Sequence, residues 1–241
     1  MATIQSQFGG VRAFNDFNAP QGDLTWAAGV VELGGGVGMV SVNEGTINDV
    51  ADESGGVIEF LTDTGDNDNV CLISGIYDSA LGAVSEVRFK VADDLGVGIF
   101  AGFSETMALD TPVVPAEFAT ATMTYNGTGG MVGAQYDLDG TTDGWRAVMG
   151  DGGAAVASSG NGTLSSATAP SADQFQIVRT ELHPGGSGSV YVDGKLIKKF
   201  TSGLTSGDLF YAVLIVENRT AAARNVQVDY FYADGPRDWT Q

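Results

Sequence analysis

Two short acidic stretches hold the residues best suited to chemistry. DTGDNDN (63–69) offers Asp63, Asp66, Asp68 and Asn69, and DLDGTTD (137–143) offers Asp137, Asp139 and Asp143. Calcium takes about six to eight oxygen ligands from closely spaced carboxylates and carbonyls, and short Asp-rich turns supply them. Neither stretch completes an EF-hand pattern, and Asp and Asn are also ordinary turn formers. Flat aromatic rings are the second set. Trp26, Tyr136, Trp145 and Trp239 could stack on a sugar if their faces are exposed. Core packing is the alternative, and it is the favoured one for Tyr136 and Trp145. Trp239, in the polar GPRDWTQ terminus, is either exposed or docked on a neighbour.

The remaining reactive groups point away from catalysis. The one histidine, His183, precedes Pro184 and has one distant cysteine, Cys71, for company, which is too little for a zinc cluster. No nucleophile-elbow sequence supports a Ser-His-Asp triad. Cys71 lies in the apolar run Val70-Cys71-Leu72-Ile73 and reads as a buried small hydrophobe. A lone cysteine makes no intrachain disulfide. GGGVG (34–38) lacks the helix and lysine that a phosphate loop needs. No catalytic residue is assigned, and no organic cofactor is expected; calcium is the one ion considered.

These side chains must be held by strands. The 241 residues include 35 glycines, and short apolar or alternating runs are separated by Gly, Asp, Asn, Ser and Thr turns, the pattern of a sandwich or barrel. Strands are expected near Val30–Leu33, Met39–Val42, Gly56–Leu61, Val70–Ile73, Ser85–Val91, Gly96–Phe103, Met131–Asp137, Gly144–Met149, Phe175–Glu181, Ser189–Val192, Lys195–Phe200, Tyr211–Glu217 and Val226–Ala233. Pro115–Thr122, where Ala and Glu cluster, is the one segment that reads as helix. Asp193-Gly194, between two β-prone runs, predicts a tight type I′ hairpin that serves folding more than binding.

Residues 1–22 read as an extended N-terminal arm, residues 23–241 as a single β-sandwich domain, and 150–173 as a long flexible loop. The arm carries Ile4, Phe8, Val11, Phe14 and Phe17, too few apolar groups for a core of their own. They are suited either to lying along a neighbouring subunit or to completing the chain's own sheet.

Thirty acidic against eleven basic residues give a net charge of −19. That repels nucleic acid and anionic membrane surfaces. The N-terminus has neither the basic region nor the apolar core of a signal peptide, and no apolar run approaches the ~18 residues that span a bilayer. The expectation is a protein made in a cytoplasm, with no nucleic acid or membrane partner.

FQIVRTELHPGGSGSVYVDGKLIKKF (175–200), followed by YAVLIVENRTAAARNVQVDYFYAD (211–234), resembles the concanavalin A-like (laminin-G-like, lectin/glucanase) jelly rolls. The resemblance rests on Val192-Asp193-Gly194 and Val228-Asp229-Tyr230-Phe231 and, with EVRFKVADDLGVGIFAGFSE (86–105) and VGAQYDLDGTTDGWRAVMGDGG (132–153), covers about residues 56–234. It implies an all-β sandwich of two antiparallel sheets. Glycosidases of this superfamily set acidic residues along one strand as Glu-x-Asp-x-x-Glu. This sequence lacks that pattern, so no glycan hydrolysis is expected. The run from Asp137 to Trp145 is similar to a group of tailed-phage virion proteins. That similarity implies a non-enzymatic virion structural protein, a capsid decoration or cement protein on the outer surface. Its partners would be the major capsid protein or other virion proteins, and it would be a homo-oligomer, with a trimer as the specific expectation. The alternative is a glycan-binding, lectin-like module for host or surface attachment, with or without calcium.

Overall fold

The computed structural model describes residues 10–17, 24–25, 30–41, 46–50, 56–91, 95–105, 114–119, 122–125, 129–140, 144–151, 154–155, 163–164 and 170–236. Twenty strands, and no helix, occur among them. In chain order they are β1 (Gly10–Asn15), β2 (Leu24–Thr25), β3 (Val30–Gly34), β4 (Val37–Ser41), β5 (Thr46–Asp49), β6 (Ile58–Leu61) and β7 (Asn69–Asp78). Then come β8 (Ala83–Val91), β9 (Val97–Ser104), β10 (Ala116–Ala119), β11 (Thr122–Tyr125), β12 (Met131–Asp137), β13 (Arg146–Asp151) and β14 (Ala154–Ala155). The last are β15 (Thr163–Leu164), β16 (Gln176–His183), β17 (Ser187–Val192), β18 (Lys195–Phe200), β19 (Leu209–Asn218) and β20 (Asn225–Pro236).

Eighteen of them form two antiparallel sheets, and the architecture is the expected jelly roll. The first sheet runs β18-β17-β16-β8-β20-β6-β5-β2, with β1 also on β20; the second runs β14-β13-β12-β9-β19-β7-β4-β3, with β15 also on β13. Side chains alternate between faces along each strand. In β16 the inward set is Gln176, Val178, Thr180 and Leu182, every one buried. The main core lies between the sheets and includes Phe60, Tyr77, Phe103, Tyr136, Trp145, Phe210 and Phe231. Each such ring removed from water contributes about 1.5–3 kcal/mol.

The described residues of the 115–122 segment are not helical. They enter the β10–β11 hairpin, which forms a separate two-stranded sheet. Burial outweighs the helix preference of Ala and Glu. Val114, Ala116, Phe118 and Met123 pack with Cys71, Ile73, Phe100, Val213 and Ile215 in a second apolar cluster. The hairpin therefore covers the outer face of the second sheet.

The described part of the arm belongs to the chain's own sheet. Gly10–Asn15 pairs along its length with β20, from Gly10↔Pro236 to Asn15↔Phe231. First and last strands thus complete one sheet, because an open β20 edge would leave its backbone groups unpaired. Phe17 is buried, whereas Phe14 is 48% exposed; Val11 lies within β1 opposite Gly235. Ile4 and Phe8 lie outside the described residues. Within the expected loop 150–173, β14 and β15 add to β13. The Asp193-Gly194 turn has the positive φ at both positions that type I′ requires, 49° and 72°.

Candidate functional site

The two acidic stretches do come together, but around an arginine. Arg219 follows β19, and its side chain is 3% exposed. Its Nε and Nη2 donate to the two oxygens of Asp137 at 3.0 and 2.9 Å. Its Nη1 reaches Glu117 and Asn67 at 3.2 Å each, and also Glu217. Asp137 additionally accepts from the backbone N–H of Phe118 (2.8 Å) and of Asp139 (3.1 Å). Each of its oxygens has two donors, so no lone pair is left for a metal. In the first stretch Asp63 accepts from Thr64 N and Asp68 from Gly65 N, the turn-forming role of Asp. Asp66 and Asp139 are exposed at the margin of the knot. Asp143 lies outside the described residues. An internal guanidinium lies between Asp137 and the first stretch.

The knot is electrostatically tense. Burial pushes the Glu217 carboxyl up from 4.5 to about 7; Arg219 opposes this, and Glu117 and Asp137 add to it. For Arg219 burial works against the charge, but Glu217 and Asp137 outweigh it and the pKa is raised. Asp137 binds the β10–β11 hairpin through Phe118 N, and Arg219 binds it through Glu117. The chemistry of this site is therefore structural latching.

A different acidic group was not legible in the sequence. Glu105, Asp151 and Asp208 come from the ends of β9 and β13 and the turn before β19, and one oxygen of each lies within 4.8 Å of the others. Oxygens bound to one calcium at about 2.3–2.6 Å can be no farther apart than about 5 Å, so the spacing fits a shared cation. Burial, then Glu105 and Asp151, raise the pKa of Asp208. Glu105 also accepts from Gly130 N (2.6 Å), and Asp151 from Thr205 Oγ1 (2.7 Å).

Of the expected aromatic platform, Trp145 is fully buried. Its indole N–H donates to Gln176 Oε1 at 3.1 Å, and its ring meets Phe89 and Tyr136 edge-on. It presents no face to a ligand. Tyr136 is likewise core. Trp26 and Trp239 lie outside the described residues.

Among the described residues, a group of rings that reach solvent lies on the outer face of the first sheet. Cross-strand register aligns Phe14, Tyr232, Glu86, Arg179, Tyr191 and Leu196 in one row across β1, β20, β8, β16, β17 and β18. Phe14 lies 6.5 Å from both Tyr230 and Tyr232. Arg12 sits over the Tyr232 ring at 5.8 Å and pairs with Asp234 at 3.2 Å. Tyr230 donates to Glu86 (2.8 Å), and Arg179 bridges Glu86 and Glu181. Arg88 pairs with Asp229 and lies over the Phe175 ring at 4.1 Å. Flat rings, planar guanidinium groups and carboxylates thus share one solvent-facing surface. Alternation on β8, β16 and β20 supplied the signal for it; the neighbour relations required the topology.

By sequence, no family model and no curated protein matches this chain. By structure it is similar to a protein of unknown function from Shewanella oneidensis MR-1 (TM-score 0.59, 14% identity, covering 97% of this chain and 89% of that one). It is similar to the potassium-bound carbohydrate recognition domain of Emp46p (TM-score 0.53, 16% identity, 78% and 87%). It is also similar to peanut lectin (TM-score 0.52, 12% identity, 88% and 96%). Identities of this size carry the fold and nothing further: the chain has a concanavalin A-like jelly-roll fold.

Proposed function

We propose that the chain is a non-enzymatic glycan-binding module that uses the outer face of its first sheet. The observation that carries this reading is the registered row of Phe14, Tyr232, Glu86, Arg179 and Tyr191. Aromatic faces stack on the apolar faces of sugar rings, while guanidinium and carboxylate groups pair with hydroxyls. The similarity in fold to a carbohydrate recognition domain and a lectin supports it. A cation belongs to the same proposal. The Emp46p domain has a potassium-bound form, and in this chain Glu105, Asp151 and Asp208 are the residues that would hold calcium. There it would order the ends of β9 and β13. The test is a glycan array probed with the full chain, with and without chelator. Reproducible binding to a defined glycan class supports the reading, and an array with no bound glycan overturns it.

A virion setting is a separate reading, supported by the 137–145 resemblance and by a net charge of −19 suited to a surface facing away from packaged DNA. It places a homo-oligomer, with a trimer as the specific form, on major capsid protein at the outer capsid surface. Its test is the location and stoichiometry of the chain in purified particles.

A further inference from the structure

The charge of the chain is distributed unevenly over the fold. Residues 83–91 and 175–200 hold six of the eleven cations, Arg88, Lys90, Arg179, Lys195, Lys198 and Lys199, but three of the thirty acidic residues, Glu86, Glu181 and Asp193. Those segments carry a net charge of +3 and leave −22 on the remainder. The topology joins them: β8, β16, β17 and β18 are consecutive neighbours at one end of the first sheet. Lys195 and Lys199 are exposed on the edge strand. Lys90 Nζ lies 5.0 Å from the Phe175 ring that Arg88 also covers. Among the described residues, no carboxylate lies within 4.0 Å of Lys90, Lys198 or Lys199. Edge-strand lysines also discourage strands from adding to a sheet. That role accounts for β18; inside the sheet Arg88 and Arg179 are engaged by Asp229, Glu86 and Glu181, which leaves Lys90 as the cation there without a carboxylate partner among the described residues.

We infer that this end of the sheet selects acidic glycans, oligosaccharides bearing carboxylate or sulfate groups. The inference rests on the glycan-binding reading and deepens it by naming the ligand class. Lys90 and Lys199, on the outer face, pair with the acidic groups through charge-assisted hydrogen bonds, and Phe175 and Tyr191 provide ring faces between them. A short acidic oligosaccharide touches only this cationic end, whereas a nucleic acid extends on to the strongly acidic remainder and is repelled.

The test is titration of the full chain with an oligogalacturonate, a sulfated oligosaccharide, a neutral dextran oligomer and a single-stranded oligonucleotide, at low and high salt. At least one acidic oligosaccharide should bind about tenfold or more tighter than dextran and weaken at high salt. Comparison of the carboxylated and sulfated arms identifies the acidic group. Lys90→Glu, at a half-buried position, and Lys199→Glu, at an exposed edge position, should each lower that affinity about tenfold with little change in melting temperature. Equal affinity for dextran and the acidic glycans, or affinity unmoved by both substitutions, overturns the inference and leaves the glycan-binding reading standing. Binding of no oligosaccharide overturns both. Preferential binding of the oligonucleotide overturns the inference in favour of a nucleic-acid partner.

Discussion

Replacing Glu217 with Gln should change how the stability of this protein depends on pH. The side chain is 4% exposed and faces Arg219 from its own strand's end, Asp137 on β12 and Glu117 on β10. Its carboxyl is pushed up from 4.5 to about 7, a difference worth about 3 kcal/mol at 1.36 kcal/mol for each tenfold change in proton affinity. A raised carboxyl pKa means that the folded chain binds the proton more tightly than the unfolded chain. Stability from this group is therefore fully present below pH 4.5 and declines as pH rises toward 7. Asp139 and Asp208, whose pKa values are also raised by burial, act in the same direction, so the comparison must be made against the variant. Urea unfolding of both proteins from pH 4 to pH 8 should show the stability of Glu217→Gln relative to the parent rising by about 3 kcal/mol across that window. A difference that stays flat across the window would refute the description of Glu217 as a desolvated carboxyl.

Gly194→Val should cost about 1–3 kcal/mol of stability; no atom lies within 4 Å of an added Cβ, so the cost comes from the positive φ alone and is read as a fall in melting temperature. Calcium should raise the melting temperature of the parent and leave Asp208→Asn unmoved; an equal shift in both proteins would remove the cation from the Glu105–Asp151–Asp208 group. Cys71 is fully buried and its thiol pKa is raised by burial, so a thiol reagent should label it only when the protein unfolds. Rapid labelling of the native protein would contradict that burial.

What was legible in the sequence is what is coded locally. Lys195–Phe200 is a strand with the expected bounds, and Asp193-Gly194 forms the expected turn because both φ requirements are met by adjacent residues. The segment 115–122 was misread because its composition favours helix while its apolar side chains are claimed by a distant sheet face. Arg219 could not have been found by spacing, since its partner Asp137 is 82 residues away and only the pairing of β9 with both β12 and β19 brings them together. The same holds for the cationic end of the first sheet. Residues 83–91 and 175–200 are remote in sequence, and their shared charge emerges only with β8 beside β16.

The claim that this surface binds glycans is tested most directly by measuring the affinity of Phe14→Ala and Tyr232→Ala for the tightest glycan found on the array. Both rings stand on the solvent side of the sheet, where an aromatic cross-strand pair contributes only about 0.2–1 kcal/mol to stability, so the fold should persist. The account predicts a loss of about tenfold or more in affinity with a small change in melting temperature. Unchanged affinity in both variants would contradict it.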